Sequence, residues 1–365
     1  MQVSKKINDS YSKDLELIKR VVYKAGQIAK DAFLKNKPQI FDKGGGHEVT
    51  SADIAVNNYL SKYLKKNRPM YGWLSEETKD DNSRLKAKKS FVVDPIDGTK
   101  AFIDGTIDFV VSVAVIENGY PVVAVIYNPI KNEMFEATLG GGSKLNNVII
   151  KATDKLSVKD IKMIGYSRKF KKLKWPQMKC FTVNSMAYRI ALVASGKADA
   201  TVAFTPKSDW DIAAAQLIAT EAGAYISNIN GKVPTYANSS TSGLGIICAG
   251  KNLHGLLLDL TYPIVEKFNT SSDKIKEFGF MATKSEDRKK IQLLHLVIGG
   301  ELLDPNKSEF KNLNKLDFVG AYPDFHSAHI AWKASAHKTV DNAHMRYFIL
   351  HAHELIDPKK DGIIG

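Results

Sequence analysis

The chain has 365 residues, of which 44% are hydrophobic and 25% are charged. This length allows one large domain with a small one, or two medium domains. The N-terminal residues contain no apolar segment of the length that a secretory signal needs, and the longest apolar run, 109–116, is too short to cross a bilayer. We therefore expect a soluble protein of the cytoplasm, and peripheral association with the inner membrane stays open.

Charge and cysteine content narrow the classes of partner. The formal net charge is +13, and lysine-rich surfaces attract phosphate backbones. However, the lysines are spread along the chain without a helix-turn-helix, zinc-finger or RNA-binding aromatic motif, so we expect no nucleic-acid partner. The same charge would steer a small polyanionic substrate. Cys180 and Cys248 lack CxxC spacing and predict neither a disulfide framework nor a zinc site.

Hydrophobic periodicity predicts the elements in chain order. Helical spacing covers 14–33 and 51–66, with Ser51 as the expected N-cap of the second helix. Asn118 and Gly119 predict a hairpin turn between two of the strands that follow. A lysine-rich linker then leads to further helices, which we expect to end at Gly196 and Gly223. The expected strands are 71–75, 91–94, 109–117, 120–129, 133–141 and 243–250, and the later helices are 184–196, 209–223 and 252–268.

Helices and strands come in blocks, which indicates an α/β protein of stacked layers rather than a simple doubly wound sheet. The turn-rich segment 269–275 separates two predicted domains, 1–270 and 276–365. The second domain reads strand, strand, helix, strand, which predicts a small α/β module.

Two carboxylates follow a buried strand in the segment "SFVVDPIDGTKAFIDG", residues 90–105. Asp94 and Asp97 would repel each other unless a positive charge lies between them. A turn could aim both side chains and the backbone carbonyl of Ile96 at one point. Oxygen ligands of this kind suit Mg²⁺, and the N–H groups of Gly98 and Thr99 could receive a phosphate oxygen.

Three further acidic segments lie at predicted strand ends or helix starts. Glu76 and Glu77 follow a strand, Asp209 and Asp211 begin a helix, and Asp53 lies in a first helical turn. Each has an ordinary explanation, namely a solvated turn, an N-cap and a helix-dipole interaction, respectively. Acids on separate segments can nevertheless converge on one metal centre.

The four segments together resemble the inositol monophosphatase superfamily of magnesium-dependent phosphatases. "EVTSAD", "SEE", "DPIDGT" and "WDIAAA" occur in the order and spacing of that superfamily, over about residues 10–268. The resemblance implies an αβαβα sandwich and two or three Mg²⁺ ions. The implied metal ligands are Glu76, Asp94, the carbonyl of Ile96, Asp97 and Asp211.

The resemblance also implies catalytic roles. Asp53 and Thr99 would orient and deprotonate the attacking water, with Glu76 as the third catalytic residue, while Gly98 and Thr99 would hold phosphate oxygens through their N–H groups. Metal ions would lower the pKa of the water and stabilise an in-line displacement. No covalent phosphoenzyme is required.

Within the superfamily the sequence looks most similar to bacterial CysQ-type 3'(2'),5'-bisphosphate nucleotidases. These remove the 3'-phosphate of adenosine 3',5'-bisphosphate to give AMP, in a clearance step linked to sulfate assimilation. Phe204 or Tyr188 could stack on a base, although core packing is the ordinary role of either. The expected substrate-binding residues are Lys43, Asp97, Gly98, Thr99, Arg168, Ser185, Arg189, Lys207 and Asp211.

Two alternatives stay open at this point. One is an inositol or sugar monophosphatase of the same superfamily, and the other is a nucleotide-binding sensor or adaptor without catalysis. The intact set of acids argues against the second.

The C-terminal module resembles a small uncharacterised bacterial domain and implies no activity. Its histidines could form a transition-metal site, with His326 and His329 on one helix face and His351 and His353 on one strand face. The absence of cysteines and of compact ligand spacing favours a docking, oligomerisation or regulatory surface instead. The sequence leaves a homo-oligomer open.

Overall fold

A computed structural model describes residues 2–35, 38–42, 48–236, 238, 240–270, 295–304, 309–322, 325–339, 342 and 344–351. The chain divides into two compact units, Met1–Met281 and Ala282–Gly365. The domain boundary expected from the sequence, between 270 and 276, borders a segment outside the described residues and stays a prediction.

Eight α-helices and nineteen strands occur among the described residues, with two short 3-10 helices at Ser83–Lys86 and Leu313–Lys315. The helices are α1 Gln2–Leu34, α2 Ser51–Asn67, α3 Thr99–Ile103, α4 Ser167–Lys172, α5 Met186–Ala194, α6 Asp209–Glu221, α7 Lys251–Thr270 and α8 Phe325–Lys338. The strands are β1 Ile40–Asp42, β2 Glu48–Thr50, β3 Gly72–Ser75, β4 Lys89–Asp97, β5 Val110–Glu117, β6 Tyr120–Asn128, β7 Glu133–Thr138, β8 Ser143–Leu145, β9 Val148–Ile149, β10 Lys162–Ile164, β11 Lys179–Phe181, β12 Ala200–Ala203, β13 Lys207–Ser208, β14 Ala224–Asn228, β15 Ser242–Gly243, β16 Ile246–Gly250, β17 His295–Glu301, β18 Asp317–Tyr322 and β19 Met345–His351.

Two sheets organise the first unit. The larger has seven strands in the order β3-β4-β5-β6-β7-β8-β9, and the smaller has five in the order β11-β10-β12-β16-β14. The central strands of the larger sheet are apolar on both faces, as a sheet covered by helices on both sides requires. The hairpin between β5 and β6 turns at Asn118 and Gly119, which both have positive φ, as the sequence predicted.

Helices lie on both sides of the sheets. The apolar stripe of α1 and that of α2 pack on one face of the larger sheet. On its other face, α5 and α6 share a core with residues of both sheets, and α7 covers the far side of the smaller sheet. The order is therefore helix, sheet, helix, sheet, helix, which confirms the expected αβαβα sandwich.

The second unit contains a three-stranded antiparallel sheet in the order β18-β17-β19, with α8 against it. The indole N–H of Trp332 donates to the carbonyl of Tyr347 at 2.8 Å, which holds α8 to β19. The predicted sequence of strand, strand, helix, strand is confirmed.

Two expectations from the sequence were wrong. Thr50, not Ser51, is the N-cap of α2, because its side chain accepts hydrogen bonds from the N–H groups of Ala52 and Asp53. The segment interpreted as a lysine-rich linker forms β8 to β11 and α4. Its strands have two or three residues each, so none is long enough to show a period of alternating apolar residues.

Among the described residues, no helix combines the length and the apolar content that crossing a bilayer requires.

Two helical glycines give a matched test of the packing. A Cβ on Gly26 of α1 would lie 2.5 Å from a ring carbon of Tyr127 on β6, whereas a Cβ on Gly255 of α7 would meet nothing within 4 Å. We expect Gly26→Ala to lower the free energy of unfolding by about 1–3 kcal/mol through overpacking. Gly255→Ala should raise it by up to about 1 kcal/mol through helix propensity. Chemical denaturation of the full chain measures both, and stabilisation by Gly26→Ala would contradict the packing of α1 on the sheet.

Candidate metal centre

Asp94 and Asp97 lie at the end of β4, where the chain leaves the larger sheet. The pairing of β4 with β5 is interrupted between them, so their side chains do not follow the regular alternation of side chains along a strand. Both residues are buried, with 1% and 7% of their surface exposed. Gly98 follows with a φ of 100°, and a Cβ there would lie 2.9 Å from the carbonyl oxygen of Asp108. The sharp turn after the two aspartates therefore depends on glycine.

Asp211 reaches the same place from the start of α6. Its carboxylate accepts a hydrogen bond from the N–H of Ser208 at 3.0 Å and forms a capping box with that residue. One carboxylate oxygen from each of Asp94, Asp97 and Asp211 lies within 4.8 Å of the other two. The structure thus gathers three acids that are far apart in sequence.

Burial raises the pKa of every member of this cluster, and the charges of neighbouring acids raise the pKa of Asp94 and Asp211 further. Burial is the largest cause for Asp94, followed by the charges of Glu76, Asp97 and Asp211. Burial and the charge of Asp97 raise the pKa of Asp211 from 3.8 to about 7. The Oδ1 atom of Asp94 is buried and has no hydrogen-bond partner among the described residues. A divalent cation fits this arrangement, because it would neutralise the charges and coordinate the unpartnered oxygen.

Asp97 is fixed by the start of α5. The hydroxyl of Ser185 donates to its Oδ2 at 2.6 Å, and the N–H groups of Met186 and Ala187 also donate to its carboxylate. These bonds favour the ionised form and partly offset the burial that raises the pKa of Asp97. The sequence assigned Ser185 to the substrate, whereas in the structure its hydroxyl bonds to Asp97 and caps α5.

Glu76 lies just past the end of β3, beside the cluster. It is half-buried, and its charge is the second cause, after burial, of the raised pKa of Asp94. Its N–H donates to the carbonyl of Val93 at 3.3 Å, which ties the β3 end to β4. Glu76 can therefore contribute to the same cation site from the edge of the sheet.

Asp53 and Thr99 form a pair next to the acidic cluster. The Thr99 hydroxyl lies 3.2 Å from Oδ1 of Asp53 and 3.1 Å from the carbonyl oxygen of Ile96. Asp53 also accepts hydrogen bonds from the N–H and the hydroxyl of Thr50. Burial raises the pKa of Asp53 despite these bonds. A buried carboxylate held in this way can act as a proton acceptor.

The cations expected at the substrate site occupy different environments. Arg189 is buried, donates to the carbonyl of Val183 and lies against the Tyr166 ring. The charge of Lys207 lowers the pKa values of Asp97 and Asp211, which places it near the cluster. Arg168 is exposed, and Lys43 lies outside the described residues.

The two aromatic residues considered for base stacking belong to the core. Tyr188 is 1% exposed and its hydroxyl donates to Glu133 at 2.6 Å. Phe204 is 6% exposed and packs edge-on against Trp175, with ring centroids 5.9 Å apart. Neither offers a ring face to a ligand. Tyr166 is an exposed aromatic residue beside Arg189, and sequence reasoning missed it because it lies in the segment interpreted as linker.

Asp209 was grouped with Asp211 in the sequence, but it does not join the cluster. Its Oδ2 is buried without a hydrogen-bond partner among the described residues, and burial raises its pKa to about 6. The nearby charge of Arg84 acts in the opposite direction.

Comparison with known proteins agrees with this centre. The inositol monophosphatase family matches residues 11–266, and a domain of unknown function (DUF4170) matches residues 293–352. The chain belongs to the inositol monophosphatase family. It therefore carries the fold and the acidic centre of a metal-dependent phosphatase.

Curated relatives in this family carry two kinds of name. The chain is 31% identical to the Nus factor SuhB of Xylella fastidiosa over 229 residues, which are 58% of this chain and 82% of the relative. It is 29% identical to the inositol-1-monophosphatase of Mesorhizobium japonicum over 62% of this chain and 89% of the relative. An inositol monophosphatase of Dictyostelium discoideum is 30% identical over 68% of this chain and 93% of the relative.

Solved structures show the same fold. The Thermotoga maritima IMPase superposes with a TM-score of 0.61 and 24% identity, over 70% of this chain and 99% of that one. The SuhB protein of Bartonella henselae also gives a TM-score of 0.61 and 24% identity, over 68% of this chain and 98% of that one.

The histidine hypothesis for the second unit stays a prediction. The side chains of His326, His329 and His351, and the whole of His353, lie outside the described residues. His344 is described, and its Nδ1 lies 3.2 Å from the carbonyl oxygen of Leu302.

We predict that Asp211→Asn stabilises the metal-free protein increasingly as pH rises from about 4 to about 7. In the wild type the pKa of Asp211 is raised from 3.8 to about 7 in the folded state. The stabilising contribution of protonated Asp211 to the free energy of unfolding is fully present below pH 3.8 and is lost as pH rises through about 7. The side-chain oxygen of asparagine can still accept the hydrogen bond from the N–H of Ser208, but asparagine does not ionise. Melting temperatures in EDTA measure the difference between the two proteins.

Saturating Mg²⁺ supplies the control for this prediction. It should raise the melting temperature of the wild type more than that of Asp211→Asn, because only the wild type keeps all three carboxylates. A difference in melting temperature that is constant from pH 4 to pH 7 in EDTA would contradict the assignment.

Proposed function

We propose that this protein is a magnesium-dependent phosphatase that hydrolyses a small phosphate monoester by direct attack of water on phosphorus. The observation that carries this proposal is the convergence of Asp94, Asp97 and Asp211 around the unpartnered Oδ1 of Asp94. Together with Glu76 and the carbonyl of Ile96, these residues would hold the cations. When bound, magnesium lowers the pKa of water and offsets the charge of the transferring phosphate.

Asp53 and Thr99 would orient the attacking water. The Thr99 hydroxyl directs its proton toward Asp53 or the carbonyl of Ile96, so its lone pairs can accept a hydrogen bond from water. A new bond forms between the water oxygen and phosphorus while the ester P–O bond breaks. The water proton passes to Asp53, and the departing alkoxide takes a proton from solvent, which yields an alcohol and inorganic phosphate.

Two substrates are candidates for this reaction. Adenosine 3',5'-bisphosphate, which would lose its 3'-phosphate, is favoured by the cations beside the acidic cluster, since an inositol monophosphate has no second anionic group for them. Inositol 1-phosphate or a sugar phosphate is favoured by the names of the relatives from Mesorhizobium japonicum and Dictyostelium discoideum. Phosphate release from both compounds at equal concentration separates the two. The expected result is a preference for the bisphosphate, and a preference for inositol 1-phosphate would overturn this choice of substrate.

We predict that Asp94→Asn lowers magnesium-dependent phosphate release by about a hundredfold or more, because cation-assisted charge stabilisation contributes several kcal/mol. Asp104→Asn is the matched control. Asp104 lies at the end of α3 on the same segment, and its side chain is exposed and pairs with the exposed Lys100. Colorimetric phosphate assays of the two variants measure the effect. Equal activity of Asp94→Asn and wild type would favour the sensor or adaptor hypothesis over catalysis.

A further inference from the structure

A group of three cations, Lys169, Arg189 and Lys207, lies beside the acidic cluster, at one edge of the smaller sheet. The strands β10, β11 and β12 are parallel, so their carboxyl ends share that edge. The chain leaves β11 toward Ser185, which binds Asp97, and leaves β12 toward Lys207, which precedes Asp211 by four residues. It leaves β10 through Gly165 and Tyr166 into α4. The segment after β10 is therefore a neighbour of the two that carry the acidic centre.

Tyr166 and its neighbours form the surface of this edge. Tyr166 is 46% exposed, and Lys169 Nζ and Arg189 Cζ lie 5.7 Å and 5.8 Å from the centroid of its ring. The N–H of Gly165 donates to the carbonyl of Phe181 at 2.9 Å, which ties the backbone before Tyr166 to β11. Phe170 of α4 stacks on Trp175 in the core, which anchors the helix that carries Lys169.

Among the described residues, Lys169 has no acidic partner in this region, whereas Lys207 and Arg189 lie near Asp97 of the acidic cluster. In the part of the chain that the structure describes, neither Lys169 nor Lys207 has a carboxylate within ion-pair distance, and α4 contains no acidic residue. After burial, the charges of Lys207 and Arg189 are the causes that lower the pKa of Lys169, so both cations lie near Lys169. A lysine without an ion pair, close to two further cations, favours an anionic ligand.

We propose that Tyr166, Lys169 and Lys207 form a subsite for a second phosphate group, so that the substrate is a bisphosphate rather than a polyol monophosphate. The acidic centre would receive the phosphate that is hydrolysed, and the cations would bind the phosphate that is retained. The partly exposed Tyr166 ring would pack against the ring of a nucleoside. Arg189 is a positioning residue, because its guanidinium is buried against Tyr166 and bonded to a backbone carbonyl. This inference rests on the proposed phosphatase function.

The test compares adenosine 3',5'-bisphosphate with adenosine 3'-monophosphate, which has the same ester but lacks the second phosphate. We expect the wild type to prefer the bisphosphate in kcat/KM by about tenfold or more, and Lys169→Gln to lose most of that preference, since a charge-assisted hydrogen bond is of that strength. Lys171→Gln, an exposed lysine of the same helix, is the control and should keep the preference. Lys207 also acts on Asp97 and Asp211, so Lys169 is the cleaner variant.

A second readout does not depend on turnover. Calorimetry of the metal-free full chain in EDTA compares AMP, which carries only the retained phosphate, with adenosine. We expect Lys169→Gln to weaken AMP binding by about tenfold and Lys171→Gln to leave it unchanged.

The outcomes separate this subsite from the proposed function. Equal hydrolysis of both nucleotides, with Lys169→Gln behaving like Lys171→Gln, would overturn the subsite while the phosphatase assignment stands. If no ester is hydrolysed, the proposed function fails, and AMP binding decides the subsite alone. In that case, AMP binding that depends on Lys169 supports the subsite, and AMP binding no tighter than that of adenosine overturns it.

Discussion

Repulsion among three buried carboxylates is the constraint on which the site depends. Asp94, Asp97 and Asp211 approach within 4.8 Å of one another, and moving each charge out of water costs several kcal/mol. Asp97 and Asp211 recover part of that cost through hydrogen bonds from helix starts, whereas one oxygen of Asp94 has none among the described residues. A divalent cation bound between these carboxylates would stabilise the fold, which would link stability to metal binding.

The layered architecture explains why these acids meet. The helices α5 and α6 lie between the two sheets, and both begin at the edge where β4 ends. The N–H groups at the start of α5 point at Asp97, and that of Ser208, the N-cap of α6, points at Asp211. Helix starts carry partial positive charge, so they reduce the repulsion among the carboxylates. The same sandwich brings the basic segment after β10 alongside, which gives one edge both an acidic and a cationic part.

Much of the fold and of the acidic centre could be predicted from the sequence. Long apolar strands, the Asn118–Gly119 turn and the amphipathic helices have local signals, and the acids at element ends have a spacing typical of the family. The short strands and α4 could not be predicted. Strands of two or three residues and a helix of six are too short to show a repeating pattern of apolar residues. For that reason Tyr166 and Lys169 were missed.

The contacts and burial of particular side chains could not be predicted from the sequence either. Ser185 is expected from its motif to lie near the site, but only the structure shows that its hydroxyl bonds to Asp97. Tyr188 and Phe204 are of residue types that can stack on a base. Their burial is decided by packing between elements that are distant in sequence. Asp209 and Asp211 are two residues apart, yet the helical start directs only Asp211 into the cluster.

Anomalous scattering from crystals of the full chain soaked in Mn²⁺ tests the central claim most directly. Manganese takes the same oxygen ligands as magnesium and is located by its anomalous signal. We expect a peak between the carboxylates of Asp94, Asp97 and Asp211, with Oδ1 of Asp94 among the ligands. Strong manganese peaks elsewhere, with none at these three side chains, would contradict it.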